Sequence, residues 1–183
     1  MKKTDRFCII AQVLNELQTN RQYYGKIVIQ KIIYFLQESQ GLNFGYRFVF
    51  YHYGPYSEDL SRDIDLMELN RIVNSSIDPK GMGYSIALDN VKGSNLIKEG
   101  NIIIQRNRAI INRVMHDFGL FGPPKLELFA TVHFIHKYIS QKEGSSRIKE
   151  KVIKIVKKMK PKFSKTQIRE QFEKLKNLGY LNY

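Results

Sequence analysis

The run Tyr51-His52-Tyr53-Gly54-Pro55-Tyr56-Ser57-Glu58-Asp59-Leu60 decides the fold of the first half of this chain. The aromatic and β-branched residues 48–50 lead into it and are typical of a buried strand. The Gly54-Pro55 pair predicts a turn, because proline fixes φ and disfavours the α region for the residue before it. Ser57 can cap a helix with an acidic first turn, since negative charge is favourable beside the positive end of a helix dipole.

The elements on either side of this run follow from hydrophobic periodicity. Apolar residues at helical spacing predict two helices before the strand, and the run itself opens a third. Beyond the third helix, two short apolar segments flank the proline- and glycine-containing stretch 78–83, which is typical of a hairpin turn. The predicted elements are helices 5–18 and 26–40, strand 46–52, helix 58–70, and strands 71–73 and 84–88.

The second half of the chain is predicted to be helical. Three helices span about 103–118, 125–141 and 147–160, and Ser164 caps a last helix with Gln167 as its capping-box partner. We therefore expect an α+β fold that is mostly helical. A winged helix-turn-helix-like part at residues 1–92 should pack with a C-terminal helical bundle at residues 93–183, as one unit.

Composition limits the class of protein. The chain has 183 residues with 43% hydrophobic and 12% aromatic residues, which is enough for a packed core and excludes wholesale disorder. No apolar run approaches the roughly 18 residues of a membrane-spanning helix, and Asp5 and Arg6 interrupt any signal-peptide core. The single cysteine, Cys8, predicts a buried thiol in a reducing compartment. We therefore expect a cytoplasmic protein.

Positive charge is concentrated in the second half of the chain. The net charge is +13, yet residues 1–100 carry 12 basic and 11 acidic residues. Residues 101–183 carry 18 basic and 6 acidic residues, and the segment 142–165 alone has ten against two. A field of this kind attracts nucleic acid or an acidic protein partner.

Two segments, Gln30-Lys31-Ile32-Ile33-Tyr34-Phe35-Leu36 and Tyr51-His52-Tyr53-Gly54-Pro55-Tyr56-Ser57, together resemble a known family. They are similar to the YwgA-like family of bacterial proteins and, more distantly, to Panacea (SocA-like) antitoxin domains. The ending at residues 162–181 is similar to YwgA-like C-termini as well. The resemblance implies a winged-helix-like fold, toxin neutralisation by protein contact and no enzymatic activity. Panacea-type domains are recognised by their first part, so the basic helices inherit no role from them.

The tyrosines around the Gly54-Pro55 pair are the candidate partner-binding residues. Tyr53 and Tyr56 flank the predicted turn, and Arg62 follows on the next helix, so these three residues are predicted to contact a protein partner. The alternative is that the aromatic rings pack the core, which is their commoner use.

The third helix is poorly suited to read DNA. It carries five acidic residues against Arg62 alone, and carboxylates in a DNA groove would be surrounded by phosphates. The basic helix near the C-terminus is the better candidate for nucleic acid, although a solvated lysine-rich face is an equal alternative. Its predicted nucleic-acid-binding residues are Lys149, Lys151, Lys154, Lys157, Lys158 and Lys160.

No residues assemble into a recognisable catalytic or metal site. His133 and His136 lie three apart on a predicted helix, but two ligands do not make a zinc site, and core histidines are the simpler interpretation. No nucleophile and base can be read from Ser57 or Cys8. We therefore predict no catalytic residue, no metal and no cofactor.

The sequence predicts a non-catalytic interaction module of the antitoxin or defence-associated kind. It would bind a protein partner and keep its basic surface available for nucleic acid. The alternative is a DNA-binding transcriptional regulator that uses the basic C-terminal helices. A third hypothesis, a small hydrolase or nuclease using the histidines, would be distinguished by bound metal. The sequence predicts neither the partner's identity nor the oligomeric state.

Overall fold

The computed structural model describes residues 1–19, 24–77, 84–141 and 148–181, and in these the chain is a mostly helical α+β fold. The strands form two separate two-stranded antiparallel sheets. The strands are β1 (Val49–Tyr51), β2 (Gly54–Tyr56), β3 (Val73–Ile77) and β4 (Tyr84–Leu88). The helices are α1 (Lys3–Thr19), α2 (Lys26–Glu38), α3 (Glu58–Leu69), α4 (Lys92–Glu99), α5 (Asn101–Arg106), α6 (Arg108–Phe118), α7 (Pro123–Ser140), α8 (Ile148–Met159) and α9 (Lys165–Asn177).

Helix α7 is the centre of the fold. It is apolar on most of its surface and contacts α2, β2, α8 and α9. Helix α1 packs against α2, β4, α4, α5 and α6. Side chains from both halves of the sequence join one hydrophobic cluster. In it the ring of Phe35 on α2 stacks on that of Phe118 on α6, with centroids 4.1 Å apart. None of the described helices has the length and apolarity that crossing a membrane requires.

The run around Gly54 forms a tight hairpin instead of a strand followed by a turn. Strand β1 pairs with β2 so that Tyr51 lies opposite Gly54, and the connecting residues are His52 and Tyr53. The prediction of a turn at Gly54-Pro55 was therefore wrong. Pro55 is tolerated in β2 because a two-stranded sheet leaves each strand with a free edge, where no backbone N–H is required.

The beginning of α3 is as predicted, but the following hairpin begins later. The Ser57 side chain accepts a hydrogen bond from the backbone N–H of Leu60 and caps α3. Strand β3 begins at Val73, not at residue 71, because Arg71 adopts a left-handed φ of 57° as the chain leaves the helix. Strand β4 has the predicted bounds, and the predicted turn at residues 78–83 lies outside the described residues.

The second half contains more breaks than the periodicity indicates. The single helix predicted at 103–118 is two helices, α5 and α6, with Asn107 between them. Helix α4 precedes them and was not predicted, because Gly93 near its start is a poor helix former. A Cβ at Gly93 would lie 2.4 Å from Leu88, so only glycine allows this approach. The capping box of Ser164 and Gln167 at α9 is confirmed, with both reciprocal hydrogen bonds present.

Candidate partner-binding surface

The β1–β2 hairpin displays large side chains to solvent. Val49 is 45% exposed, Tyr51 55% and Tyr53 54%, whereas Tyr56 is half-buried. The ring of Tyr56 packs beside that of Tyr51, with centroids 5.5 Å apart. Together with Arg62, these four residues are called the hairpin surface below.

A cleft of about 660 Å³ lies between the hairpin and the first turns of α3. Arg62 lies in its wall and forms ion pairs with Glu58, at 3.2 Å, and with Asp59. The structure thus brings Tyr56 and Arg62 to one cleft and places Tyr53 at the adjacent turn. The cleft is lined by Arg47, Val49, Tyr51, Tyr56, Glu58, Asp59 and Arg62.

Two buried lysines hold the hairpin backbone against the helices. Lys31 on α2 donates from Nζ to the carbonyl oxygen of Pro55 at 2.7 Å. Lys160, just after α8, donates from Nζ to the carbonyl oxygen of His52. Both side chains are almost fully buried. Each lysine Nζ thus satisfies a backbone carbonyl of the hairpin, that of His52 in the turn and that of Pro55 in β2.

Glu127 on α7 is the carboxylate nearest to this group of lysines. Lys160 Nζ lies 2.8 Å from its Oε1, and Lys162 Nζ donates to its Oε2 at 2.7 Å. Glu127 is buried, whereas Lys162 is half exposed. Lys31, Glu127, Lys160 and Lys162 are called the lysine clasp below.

The lysine clasp contains more positive than negative charge. Lys160 and Lys162 pair with Glu127, while Lys31 contacts the Pro55 carbonyl and only feels the charge of Glu127. Burial lowers the pKa of Lys31 to about 7. The negative charge of Glu127 opposes this lowering of the pKa, and the positive charge of Lys160 adds to it. An amine with this pKa exchanges its proton near neutral pH, which makes the clasp sensitive to any charge that approaches it.

Gly54 allows the hairpin to approach α7 closely. Its φ of +82° is in the left-handed region, and a Cβ there would lie 2.8 Å from Oγ1 of Thr131. The same Cβ would lie 3.5 Å from the carbonyl oxygen of Glu127. Both the backbone conformation and the packing therefore require glycine at this position.

The prediction that Lys160 belongs to an exposed basic face was wrong. Its side chain is only 6% exposed, and its Nζ contacts the Glu127 carboxylate and the His52 carbonyl oxygen. The chain turns inward at the end of α8, which carries Lys160 under the hairpin. Sequence reasoning also missed Lys31, although a lysine within an otherwise apolar helix was a signal for a buried, partnered cation.

The other predicted lysines lie on α8, but they are not equivalent. Lys149 pairs with Glu173 on α9. Lys157 donates to the carbonyl oxygens of Pro161 and Phe163, at 2.7 and 2.9 Å, and so stabilises the turn after α8. Lys151 is exposed. Lys154 and Lys158 are exposed and make no ion pair with any other described residue.

A basic cleft of about 510 Å³ lies between α8 and α9. Two of its cations, Lys165 and Arg169, come from α9 and were missed, because helical periodicity treats one helix at a time. Glu150 is the one acidic residue among the described residues that line this cleft. The residues called the basic cleft below are Glu150, Ile153, Lys154, Lys157, Lys158, Lys165 and Arg169.

The acidic residues of α3 take part in contacts within the chain. Asp63 is buried and accepts hydrogen bonds from Arg6 Nε at 2.8 Å and from the Tyr46 hydroxyl at 2.7 Å. Asp65 pairs with Lys26 on α2 at 2.6 Å. These contacts fix α3 to the body of the fold.

The two histidines on α7 are core residues, as predicted. His133 and His136 are both buried. Nδ1 of His133 lies 2.7 Å from the Tyr34 hydroxyl, and burial lowers the pKa of His133 to about 3. The imidazole is therefore neutral at pH 7. Among the described residues, no three His, Cys, Asp or Glu side chains group so that they could hold a metal ion.

Comparison with known proteins identifies no family for this chain. No protein-family model matches the chain, and no curated protein matches it significantly. The resemblance to YwgA-like and Panacea-type sequences therefore stays a prediction.

Proposed function

We propose that this chain is a non-catalytic interaction module that binds a protein partner through the hairpin surface. One observation carries the proposal: Val49, Tyr51 and Tyr53 are each about half exposed on one short hairpin beside a cleft. Exposed tyrosines with an apolar ring and a polar hydroxyl are favoured at the centres of protein interfaces.

The lysine clasp supports this proposal because it fixes the hairpin before any partner arrives. The carbonyls of His52 and Pro55 accept hydrogen bonds from Nζ of the buried Lys160 and Lys31. Gly54 packs directly on α7. A surface that is already ordered loses little conformational entropy on binding, and more of the contact energy is retained as affinity.

The biological role we propose is antitoxin-like or defence-associated, as the resemblance to Panacea-type domains implies. We further propose that residues 1–92 act as a winged-helix-like part, with β3 and β4 as the wing after α3. Helix α3 has five acidic residues and one basic residue, Arg62, and two of its carboxylates are already paired with Arg6 and Lys26, so it is poorly suited to bind phosphate. This supports protein contact over DNA reading by that helix.

A photo-crosslinking amino acid placed at Tyr53 in living cells tests the proposal. Tyr138 on α7 is the matched control, because it is also a tyrosine and is 52% exposed against 54% for Tyr53. We expect one discrete product from position 53 and none from position 138. For the partner so identified, Tyr53→Ala should weaken binding at least tenfold and Tyr138→Ala less than twofold. Identical products from both positions would contradict the proposal.

A second candidate function is nucleic-acid binding at the basic cleft, as in the DNA-binding regulator alternative. The specific observation is that cations from two helices, Lys154 and Lys158 on α8 and Arg169 on α9, line one cleft with a single acid. Lysines predominate, which favours loose contact with phosphates over bidentate reading of bases.

Binding to a random DNA duplex at about 50 and 200 mM salt tests this second candidate, because phosphate contacts weaken steeply over that range. Lys154→Glu/Lys158→Glu should remove the binding. Lys2→Glu/Lys3→Glu makes the same change in net charge at exposed N-terminal positions and should retain most of it. No binding at low salt, or equal loss in both variants, would contradict a specific role of the cleft.

A further inference from the structure

A small pocket lies on the side of the hairpin that faces α2. Its volume is about 180 Å³. This is room for about six water molecules, and it is smaller than the roughly 300 Å³ or more of a drug-sized ligand site. It is the size of one inserted side chain. Its lining residues are Lys26, Ile27, Gln30, Lys31, Tyr51, Tyr53, Gly54 and Tyr56.

Three tyrosine hydroxyls around this pocket can donate hydrogen bonds to a ligand. The Gln30 amide is already used, because it donates to the Ser57 carbonyl at 2.8 Å and accepts from the Ser57 N–H at 2.9 Å. Among the described residues, the hydroxyls of Tyr51, Tyr53 and Tyr56 have no hydrogen-bond partner. Hydroxyl groups can turn to donate to an anion.

The charge beneath the pocket is positive. Lys31 lines it and belongs to the lysine clasp, in which Glu127 is the one carboxylate for three lysines. Lys26 stands at the rim, half exposed, in an ion pair with Asp65. An entering anion would favour the charged form of the Lys31 amine in a partly water-excluded place, where electrostatic attraction is stronger than in bulk water.

We propose that this pocket receives a carboxylate side chain from an acidic segment of the protein partner. The inference rests on the proposed function, since it names the chemistry of the partner at the same hairpin surface. The tyrosine rings would enclose the aliphatic part of an inserted Glu or Asp, and the hydroxyls and Lys31 would meet its carboxylate.

Proton uptake is a specific consequence of this arrangement. With a pKa of about 7, Lys31 is mostly neutral at pH 8. A carboxylate bound nearby favours the charged amine, so binding should draw a proton from the buffer. A carboxylate bound by exposed lysines elsewhere would not do so, because those amines are already protonated.

The test uses two labelled decapeptides, alternating Glu-Ser and alternating Gln-Ser, at 50 mM salt and pH 8. We expect the glutamate peptide to bind at least tenfold more tightly than the glutamine peptide. Calorimetry in two buffers of different ionisation enthalpy should detect proton uptake. Lys31→Met should weaken binding at least tenfold and abolish the uptake. Tyr53→Phe, which removes only an exposed hydroxyl, should weaken it about threefold.

Lys154→Ala/Lys158→Ala is the matched control, because it removes two cations from the basic cleft and none from the pocket. We expect it to change the peptide affinity less than twofold. Loss of binding in this variant but not in Lys31→Met would overturn the proposal and assign the peptide to the basic cleft. Absence of binding by the glutamate peptide would overturn it too. Crosslinking from Tyr53 would still test the hairpin surface independently of either result.

Discussion

Gly54 couples the conformation of the hairpin to the packing of α7. A substituent at this position has to adopt a φ of +82° and share space with Thr131 Oγ1. Gly45 has the same φ of +82°, but nothing lies within 4 Å of its Cβ position. The two glycines therefore separate the contribution of backbone strain from that of steric crowding.

We expect Gly45→Ala to lower the free energy of unfolding by about 1 kcal/mol, through left-handed strain alone. Gly54→Ala should lower it by a further 1–3 kcal/mol, roughly, because overpacking adds to the strain. Urea denaturation of both variants measures the difference. Equal losses would mean that the hairpin moves away from α7 without difficulty, and that the lysine clasp does not hold it.

Lys31 should make stability depend on pH above neutrality. Its pKa is about 7 in the fold and near 10.5 in the unfolded chain. Between these values the unfolded state binds more protons, so stability increases with pH. From pH 7 to 9 we expect a gain of about 2 kcal/mol from this group. Chemical denaturation of wild type and Lys31→Met at several pH values measures the contribution of this group. If the free energies of unfolding of the two proteins changed in parallel with pH, the amine would not be buried and neutral.

The hairpin, as an element, depends on residues that are distant in sequence. Lys31 comes from α2, Glu127 from α7 and Lys160 from the end of α8. The clasp joins them beneath β1 and β2. Loss of the Glu127 carboxylate should lower stability more than loss of any one lysine, because it leaves buried positive charge without a counter-ion.

We expect Glu127→Gln to destabilise the protein by about 3 kcal/mol or more, because it leaves the buried ammonium of Lys160 unpaired. Lys160→Met should have a smaller effect, about 1–2 kcal/mol, because Glu127 keeps its ion pair with Lys162 while its Oε1 and the His52 carbonyl lose the Lys160 amine. Chemical denaturation ranks the two variants. The reverse order would mean that Glu127 does not serve as the common counter-ion.

The molecule as a whole packs residues 1–92 and 93–183 around a shared core. Phe35 on α2 stacks with Phe118 on α6, and Phe118 in turn meets Phe129 on α7 at 5.4 Å between centroids. Aromatic contacts of this kind cross the predicted boundary near residue 92. The polar contacts of the lysine clasp cross it as well, since Lys160 binds the carbonyl of His52.

We therefore expect one cooperative unfolding transition for the full chain. Near-UV circular dichroism of the tyrosines and far-UV dichroism of the helices should give coincident curves, as a two-state transition requires. The fragment 1–92 should be largely unfolded, because Phe35 and Lys31 lose their partners on α6 and α7. Two resolved transitions, or a folded fragment, would mean that the two parts are independent.

The sequence by itself determined the features that depend on neighbours along the chain. Ser57 and Ser164 cap their helices because a cap needs only the next three residues. Strand β4 and the mostly helical second half follow from periodicity, which is local as well. The acidic character of α3 was also readable from the sequence, whereas the exposure of Tyr53 was one of two alternatives that the sequence left open.

Only the tertiary structure decided which charges face solvent and which are buried. Lys160 ends a lysine-rich helix, yet it lies under the hairpin because the chain turns inward after α8. Lys165 and Arg169 complete the basic cleft from a second helix. The turn at His52-Tyr53 likewise depends on the contact of Gly54 with α7. Burial and pairing are set by contacts between residues about a hundred positions apart, and no local pattern encodes them.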